Sequence, residues 1–295
     1  MRFLLSLLLV CLPVCAETTV ADLFEAKTLA RIAAADTQLD GVLGVAAIDL
    51  TTGRTLAYHA DAVFPTASTI KVPIMIQLYR AIRAGEVKLT DVLPVTVKEL
   101  VEESPVVEKA AKSSGKITVR ELLEAMMQVS DNTATNKLIE LLGMAKVNRA
   151  MDEAGLLQTR LRRRMIDLAA ARRNEENVST PLEMARLMQM IWQGKAVDEA
   201  ASRDMLEVMT PTKAEIRKVI PAGIRVASKP GWLDQVKCEV AIVYLENVSL
   251  EKRPFVVSVY STYLKGDGNP TGNITAILFD YFSRLAKSNL YGRGL

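Results

Sequence analysis

Ser68 and Lys71 stand three residues apart in the stretch TASTIKVP, and an apolar run follows: Val72, Ile74, Met75, Ile76 and Leu78. A hydroxyl and an amine at that spacing share one face of a helix. A lysine is a poor base near neutral pH unless burial or a second cation lowers its pKa. The apolar flank offers burial. A lowered amine can take the hydroxyl proton and leave the serine oxygen as a nucleophile. Ser-x-x-Lys alone is weak, because the chain repeats it at Ser113–Lys116 and Ser249–Lys252, both in polar, turn-like surroundings. Only the first copy falls where a strand-rich segment hands over to an apolar helix. That predicts Ser68 in the helix's first turn, where free N–H groups and the helix dipole favour developing negative charge. Pro73 fits because the helix is barely under way there. The plainer alternative is an ordinary helix start that carries a lysine.

Two more groups can supply what this pair lacks. Ser130-Asp131-Asn132 separates the helical patterns EAMMQV and TNKLIELL. It reads either as a loop whose Asp or Ser caps the next helix or as a hydroxyl and an amide presented to a cleft. Lys229 ends the strand-like VASK, and Gly231 follows two residues on, in the chain's only Lys-x-Gly. The bland reading is a strand that ends in a Pro-Gly turn. The functional one is a second cation beside Lys71.

The elements that must hold these residues are legible as periodicities. Residues 42–64 read as two strands joined by a turn at Thr51-Thr52-Gly53, with a small pair, Ala46-Ala47, that lets helices pack close. From about 67 to 210 the pattern is helical, as in IMIQLYRAIRAG, TVRELLEAMMQ and TPLEMARLMQMIWQG. AGIRVASKPGW, CEVAIVYLE and PFVVSVYSTYL read as three further strands, and NITAILFDYFSRLAKS as a closing helix. The expected fold is α/β (α+β): a five-stranded antiparallel sheet flanked by helices, plus an all-helical lobe. The expected division is an α/β lobe from 17–65 and 211–295 and a helical lobe from 66–210.

Composition narrows the function. The chain has 295 residues, is 49% hydrophobic and carries a net charge of +3, enough for a large core and no case for nucleic acid. Its densest basic run, Arg160 to Arg164, reads as a solvated or locally paired loop, with a ligand contact as the alternative. The single histidine, His59, reads as an ordinary strand or loop residue, which argues against a Ser-His-Asp triad or a histidine metal site. Residues 1–16 have the form of a signal peptide cleaved after Ala16, and the apolar run is short for a bilayer. Lipid attachment at Cys15 is an alternative, against which Val14 is large for that signal. The mature chain then keeps Cys238 alone. A periplasmic, monomeric protein with no lasting membrane span is expected.

Taken in order, Ser68-x-x-Lys71, Ser130-Asp131-Asn132 and Lys229-Pro230-Gly231 resemble the signature of the serine penicillin-recognising enzymes, and closely that of the class A β-lactamases. VEESPVVEKAAKSSGKITVRELLEAMMQVSDNTATNKLIELLG, TRLRRR and IPAGIRVASKPG carry the likeness over nearly all of the mature chain. The resemblance implies roles. Ser68 attacks a carbonyl, and Lys71 takes its proton alone or through Ser130. Ser130 passes a proton to the leaving nitrogen. Asn132 binds the substrate's side-chain amide, and Lys229 holds its carboxylate and depresses Lys71. The N–H groups of Ser68 and Trp232, beside Gly231, form the oxyanion hole. No metal or cofactor is required, and the partner is a β-lactam or a peptidoglycan peptide.

The departures concern turnover. The family's deacylating Glu falls on Met165, its companion Asn on Ala169, and the Asp that anchors that loop on Asn177. Asp167, Glu175 and Glu176 are the carboxylates available as a relocated base. Pro230 removes a hydroxyl between Lys229 and Gly231. A strand Arg that assists carboxylate binding falls near Cys238, with Lys237 or Arg225 as substitutes. Glu103 replaces an aromatic wall residue. Three functions follow as expectations: a penicillin-binding, DD-peptidase-like acyl-transfer enzyme with slow deacylation; a true β-lactamase with a displaced base; or a non-catalytic binder of cell-wall peptide or protein.

Overall fold

A computed structural model describes residues 18–245, 253–266 and 268–294; the expected leader and the Ser249–Lys252 copy lie outside the described residues. The chain begins with helix α1 (Val20–Gln38), closed by a Thr19–Asp22 capping box, then strands β1 (Val42–Asp49) and β2 (Thr55–Tyr58). A short strand β3 (Phe64–Pro65) and a 3-10 turn (Ala67–Ile70) lead into α2 (Lys71–Arg83). There follow β4 (Val92–Pro94), α3 (Pro105–Lys112), β5 (Lys116–Thr118), α4 (Val119–Gln128), α5 (Asn132–Leu142) and α6 (Met144–Glu153). Then come α7 (Leu168–Arg172), β6 (Val178–Ser179), α8 (Pro181–Trp192) and α9 (Glu199–Met209). The chain returns through β7 (Val226–Leu233), β8 (Val236–Val243) and β9 (Phe255–Thr262) and ends in α10 (Pro270–Ala286).

The expected five-stranded sheet is present, in the order β2-β1-β9-β8-β7, with every neighbouring pair antiparallel. Alternation sorts its side chains between two cores. Leu43, Val45, Ala47, Val257 and Val259 face α1 and α10, while Ala46, Ile48, Val240, Ile242 and Tyr260 face the helical segment. The edge strand β7 keeps the strand expected through Trp232 and sets aside the bland reading of a Pro-Gly turn. It does not end at Pro230-Gly231 but stays paired with β8 as far as Leu233, and the turn falls at Asp234-Gln235. A proline is tolerated in this strand because β7 is an edge.

Candidate active site

The turn that carries Ser68 is clamped from three sides. Thr66 N–H donates to Asn177 O at 2.9 Å, and Cys238 Sγ on β8 lies 2.9 Å from Thr66 O. Thr69 Oγ1 donates to Thr66 O at 2.8 Å and meets Tyr260 Oη on β9 at 2.6 Å. Ala67 enters the turn at φ 44, a left-handed conformation that a side chain makes costly and that surrounding contacts must hold. Ser68 therefore sits in a 3-10 turn just before α2, not in the first turn of the α-helix, and Lys71 is the helix's first residue.

This offset changes how the two groups communicate. Lys71 Nζ donates to Ser130 O at 2.7 Å, Ser130 Oγ at 2.9 Å and Asn132 Oδ1 at 2.9 Å. Ser130 Oγ in turn lies 2.9 Å from Ser68 Oγ. The hydrogen-bonded path from amine to nucleophile thus runs through Ser130, the second of the two routes expected. Lys229 Nζ donates to the same Ser130 Oγ at 3.2 Å and to Pro230 O at 3.0 Å. Ser130 is a second left-handed residue, at φ 60. The capping reading of Ser130-Asp131-Asn132 holds, and the segment also meets Lys71. Asp131 caps α5 through Ala134 N at 2.8 Å and accepts from Val106 and Val107 of α3, while its neighbours face Lys71.

Gly231 brings β7 against this turn. A Cβ there would lie 2.7 Å from Ser68 N and 3.0 Å from Thr66 O, so only glycine allows the approach. Trp232 follows on the strand with its side chain 55% exposed.

Burial sets the charges. Lys71 and Lys229 are both fully inaccessible to solvent. Desolvation, and then the Lys229 charge, hold Lys71 well below the ordinary lysine range against the opposing Asp131 and Glu103 carboxylates. Desolvation pushes Lys229 down to about 8, with Cys238 and Glu239 opposing. Both amines are thus pushed towards the neutral form, Lys71 by burial and by the Lys229 charge, Lys229 by burial; at about 8, Lys229 keeps its proton near pH 7.

A profile of the β-lactamase enzyme family matches residues 26–282. β-Lactamase AST-1 of Nocardia asteroides is 32% identical over 253 residues, covering 83% of this chain and 79% of that protein. This chain belongs to the β-lactamase family. Among solved structures, the class A β-lactamase of the last common ancestor of Gram-negative bacteria superposes with a TM-score of 0.80 at 28% identity, covering 86% of this chain and 99% of its own. The β-lactamase of Sphaerobacter thermophilus gives 0.75 at 28% identity, covering 87% and 97%. The fold is that of class A.

Within that family frame, the loop from Arg160 to Ser179 is ordered without a polar side chain at positions 165 and 169. Met165 N–H donates to Asn136 Oδ1 at 2.8 Å, Asn136 Nδ2 returns a bond to Met165 O at 3.1 Å, and the thioether is packed into the core. Ala169 is exposed on α7. Asn177, 1% exposed, accepts from Arg162 N at 2.7 Å and Arg163 N at 3.0 Å, and donates to Arg163 O at 3.2 Å. A neutral amide thus anchors the loop. The three carboxylates considered as relocated bases are engaged elsewhere. Asp167 caps α7, Glu175 pairs with Arg173 at 2.9 Å, and Glu176 pairs with Arg163 at 2.7 Å. The basic run is locally paired, since Arg160 also meets Asp152 at 2.6 Å.

Neither proposed substitute for the strand Arg points its charge at Lys229. Lys237 Nζ donates to Gly268 O at 2.8 Å, and Arg225 pairs with Glu207 at 2.8 Å beneath Tyr244. His59 lies after β2 with Nδ1 3.0 Å from Leu43 O. Two residues near the site went unnoticed in the sequence. Asn136 is four positions after Asn132 and so on its helix face. Glu239 is an acid set inside the otherwise apolar run of β8; burial pushes its carboxyl up to about 8.

Proposed function

We propose that this protein is an exported serine acyl-transfer hydrolase, penicillin-binding or DD-peptidase-like, that forms a Ser68 acyl-enzyme with β-lactams or D-Ala-D-Ala-type peptides and releases it slowly. The observation that carries it is the hydrogen-bonded chain Ser68–Ser130–Lys71, with Lys229 on the same Ser130 oxygen. Neutral Lys71 has one lone pair and two donors. The donors stay on Ser130 O and Asn132 Oδ1, and the lone pair accepts the Ser130 hydroxyl proton. Ser130 Oγ then accepts the proton of Ser68 as Ser68 Oγ bonds to the carbonyl carbon. The tetrahedral oxyanion is received by the N–H groups of Ser68 and Trp232. When the C–N bond breaks, Ser130 protonates the leaving nitrogen and recovers its proton from Lys71. Lys229 pairs with the substrate carboxylate.

Release is slow because Met165 cannot accept a proton from water and no carboxylate of the loop is free to replace it. A peptide substrate loses its leaving group, so water or an acceptor amine enters from that side with the same relay. Export rests on the leader, and the mature monomer works in the periplasm.

Intact-mass spectrometry after mixing with benzylpenicillin tests this. The expected result is one adduct of the whole β-lactam that persists for minutes or longer and is absent in Ser68→Ala. A short-lived adduct with steady hydrolysis means a true β-lactamase with a displaced base. No adduct at all means a binding protein without a working nucleophile.

A further inference from the structure

Asn132 has no free amide donor for a substrate. Its Nδ2 donates to Glu102 O at 3.2 Å and to Glu103 Oε2 at 3.4 Å, while its Oδ1 accepts from Lys71 at 2.9 Å. An amide nitrogen carries two donors, so both are spoken for. An acyl side-chain carbonyl that binds Asn132 must displace one of these partners. Glu102 O is fixed backbone, whereas Glu103 offers the longer bond from an exposed side chain. Glu103 is also held in place: it lies at φ 57, and its carbonyl accepts from Asn132 N at 3.1 Å. Non-glycine residues in that region persist where the surroundings hold them and often mark functional sites. No ion pair among the described residues neutralises its carboxylate, and its charge is felt at Lys71.

We infer that Glu103 is a specificity-determining latch that favours acyl donors bearing a cation beside the side-chain amide. The inference rests on the proposed acyl transfer at Ser68. As the substrate carbonyl takes Asn132 Nδ2, the Glu103 carboxylate is released into the cleft mouth. An ammonium on the carbon next to the amide gives it a new partner. A neutral donor leaves it unpaired, and an anionic donor meets repulsion.

Three penicillins with one nucleus form the test: ampicillin carries an ammonium at that carbon, benzylpenicillin no charge and carbenicillin a carboxylate. Second-order acylation constants are expected to fall in that order by about three- to five-fold per step at low ionic strength, the range for an exposed ion pair. The steps shrink at about 0.5 M salt, where screening acts over a few ångströms. Glu103→Gln collapses the ratios towards one, and Glu103→Lys inverts them. A flat series in the native protein, or ratios unchanged in Glu103→Gln, overturns the inference while leaving acyl transfer intact. If no penicillin acylates Ser68, the acyl-transfer proposal fails. The latch is then decided by equilibrium binding of the same three compounds to Ser68→Ala, where equal affinities overturn it.

Discussion

Glu239 gives the sharpest stability test. The residue is 1% exposed in β8; its Oε2 accepts from Ile216 N at 3.2 Å, and its Oε1 has no hydrogen-bond partner among the described residues. Burial raises the carboxyl from an ordinary 4.5 to about 8, against the pull of the Ile216 N–H and of Lys229. A carboxyl whose folded pKa is raised stabilises the fold fully below pH 4.5, and that stability is lost as pH climbs through 8. Each pKa unit is about 1.4 kcal/mol, so the full loss is about 5 kcal/mol, with about 3 kcal/mol gone by pH 7. Glu239→Gln keeps the shape and removes the titration. Lys71 and Lys229 slope the other way: their folded pKa values lie below 10.5, so stability returns as pH rises towards that value. The readout is therefore the difference between native protein and variant. Urea unfolding at pH 5, 7 and 9 should show Glu239→Gln gaining on the native protein by about 3 kcal/mol or more between the first and last pH. Parallel pH curves would refute the buried, protonated carboxyl.

Other outcomes follow from the same contacts. Acylation by a carboxylate-bearing β-lactam should fall about tenfold between pH 7 and 9, as Lys229 loses its proton near 8; a methyl ester of the same compound, read by mass spectrometry, should lack that limb. Ser130→Ala should lower the acylation rate about a hundredfold or more by cutting the relay, whereas a direct Lys71–Ser68 transfer would spare it. Gly231→Ala should slow acylation at least about tenfold and lower stability by about 1–3 kcal/mol, since the added Cβ meets backbone that cannot turn aside. Asn177→Ala should cost about 2–4 kcal/mol in denaturant titration and free the loop to proteolysis, because it removes the partner of the buried Arg163 N–H and carbonyl and of the part-buried Arg162 N–H.

The sheet and most helices were legible because their signals are local. Val-rich runs in β8 and β9, buried on both faces, and apolar stripes in α4 and α8 report burial locally. The three motifs were legible as motifs, but their mutual geometry was not. Whether Lys71 reaches Ser68 directly depends on the 3-10 turn, which Thr69, Tyr260, Cys238 and Asn177 impose from distant strands and loops. The bland reading of a Pro-Gly turn after Lys229 fails for a related reason. Pro-Gly has a strong local preference for turning, and pairing with β8 overrides it at an edge where proline's missing donor matters least.

The loop makes the same point chemically. Its departures at 165 and 177 replace charged groups by neutral ones without loosening it. Asn136 holds Met165 by both backbone atoms, and Asn177 reproduces an acceptor for two N–H groups. A loop that had merely decayed would be expected to lose these anchors along with the carboxylate. Here the anchors remain and the proton acceptor is gone, beside a relay whose two amines are both pushed below the ordinary lysine range. That combination is what the proposed acyl transfer with slow release requires. On that proposal a latch on the acyl side chain has a purpose, because a long-held intermediate puts the choice of substrate at the acylation step.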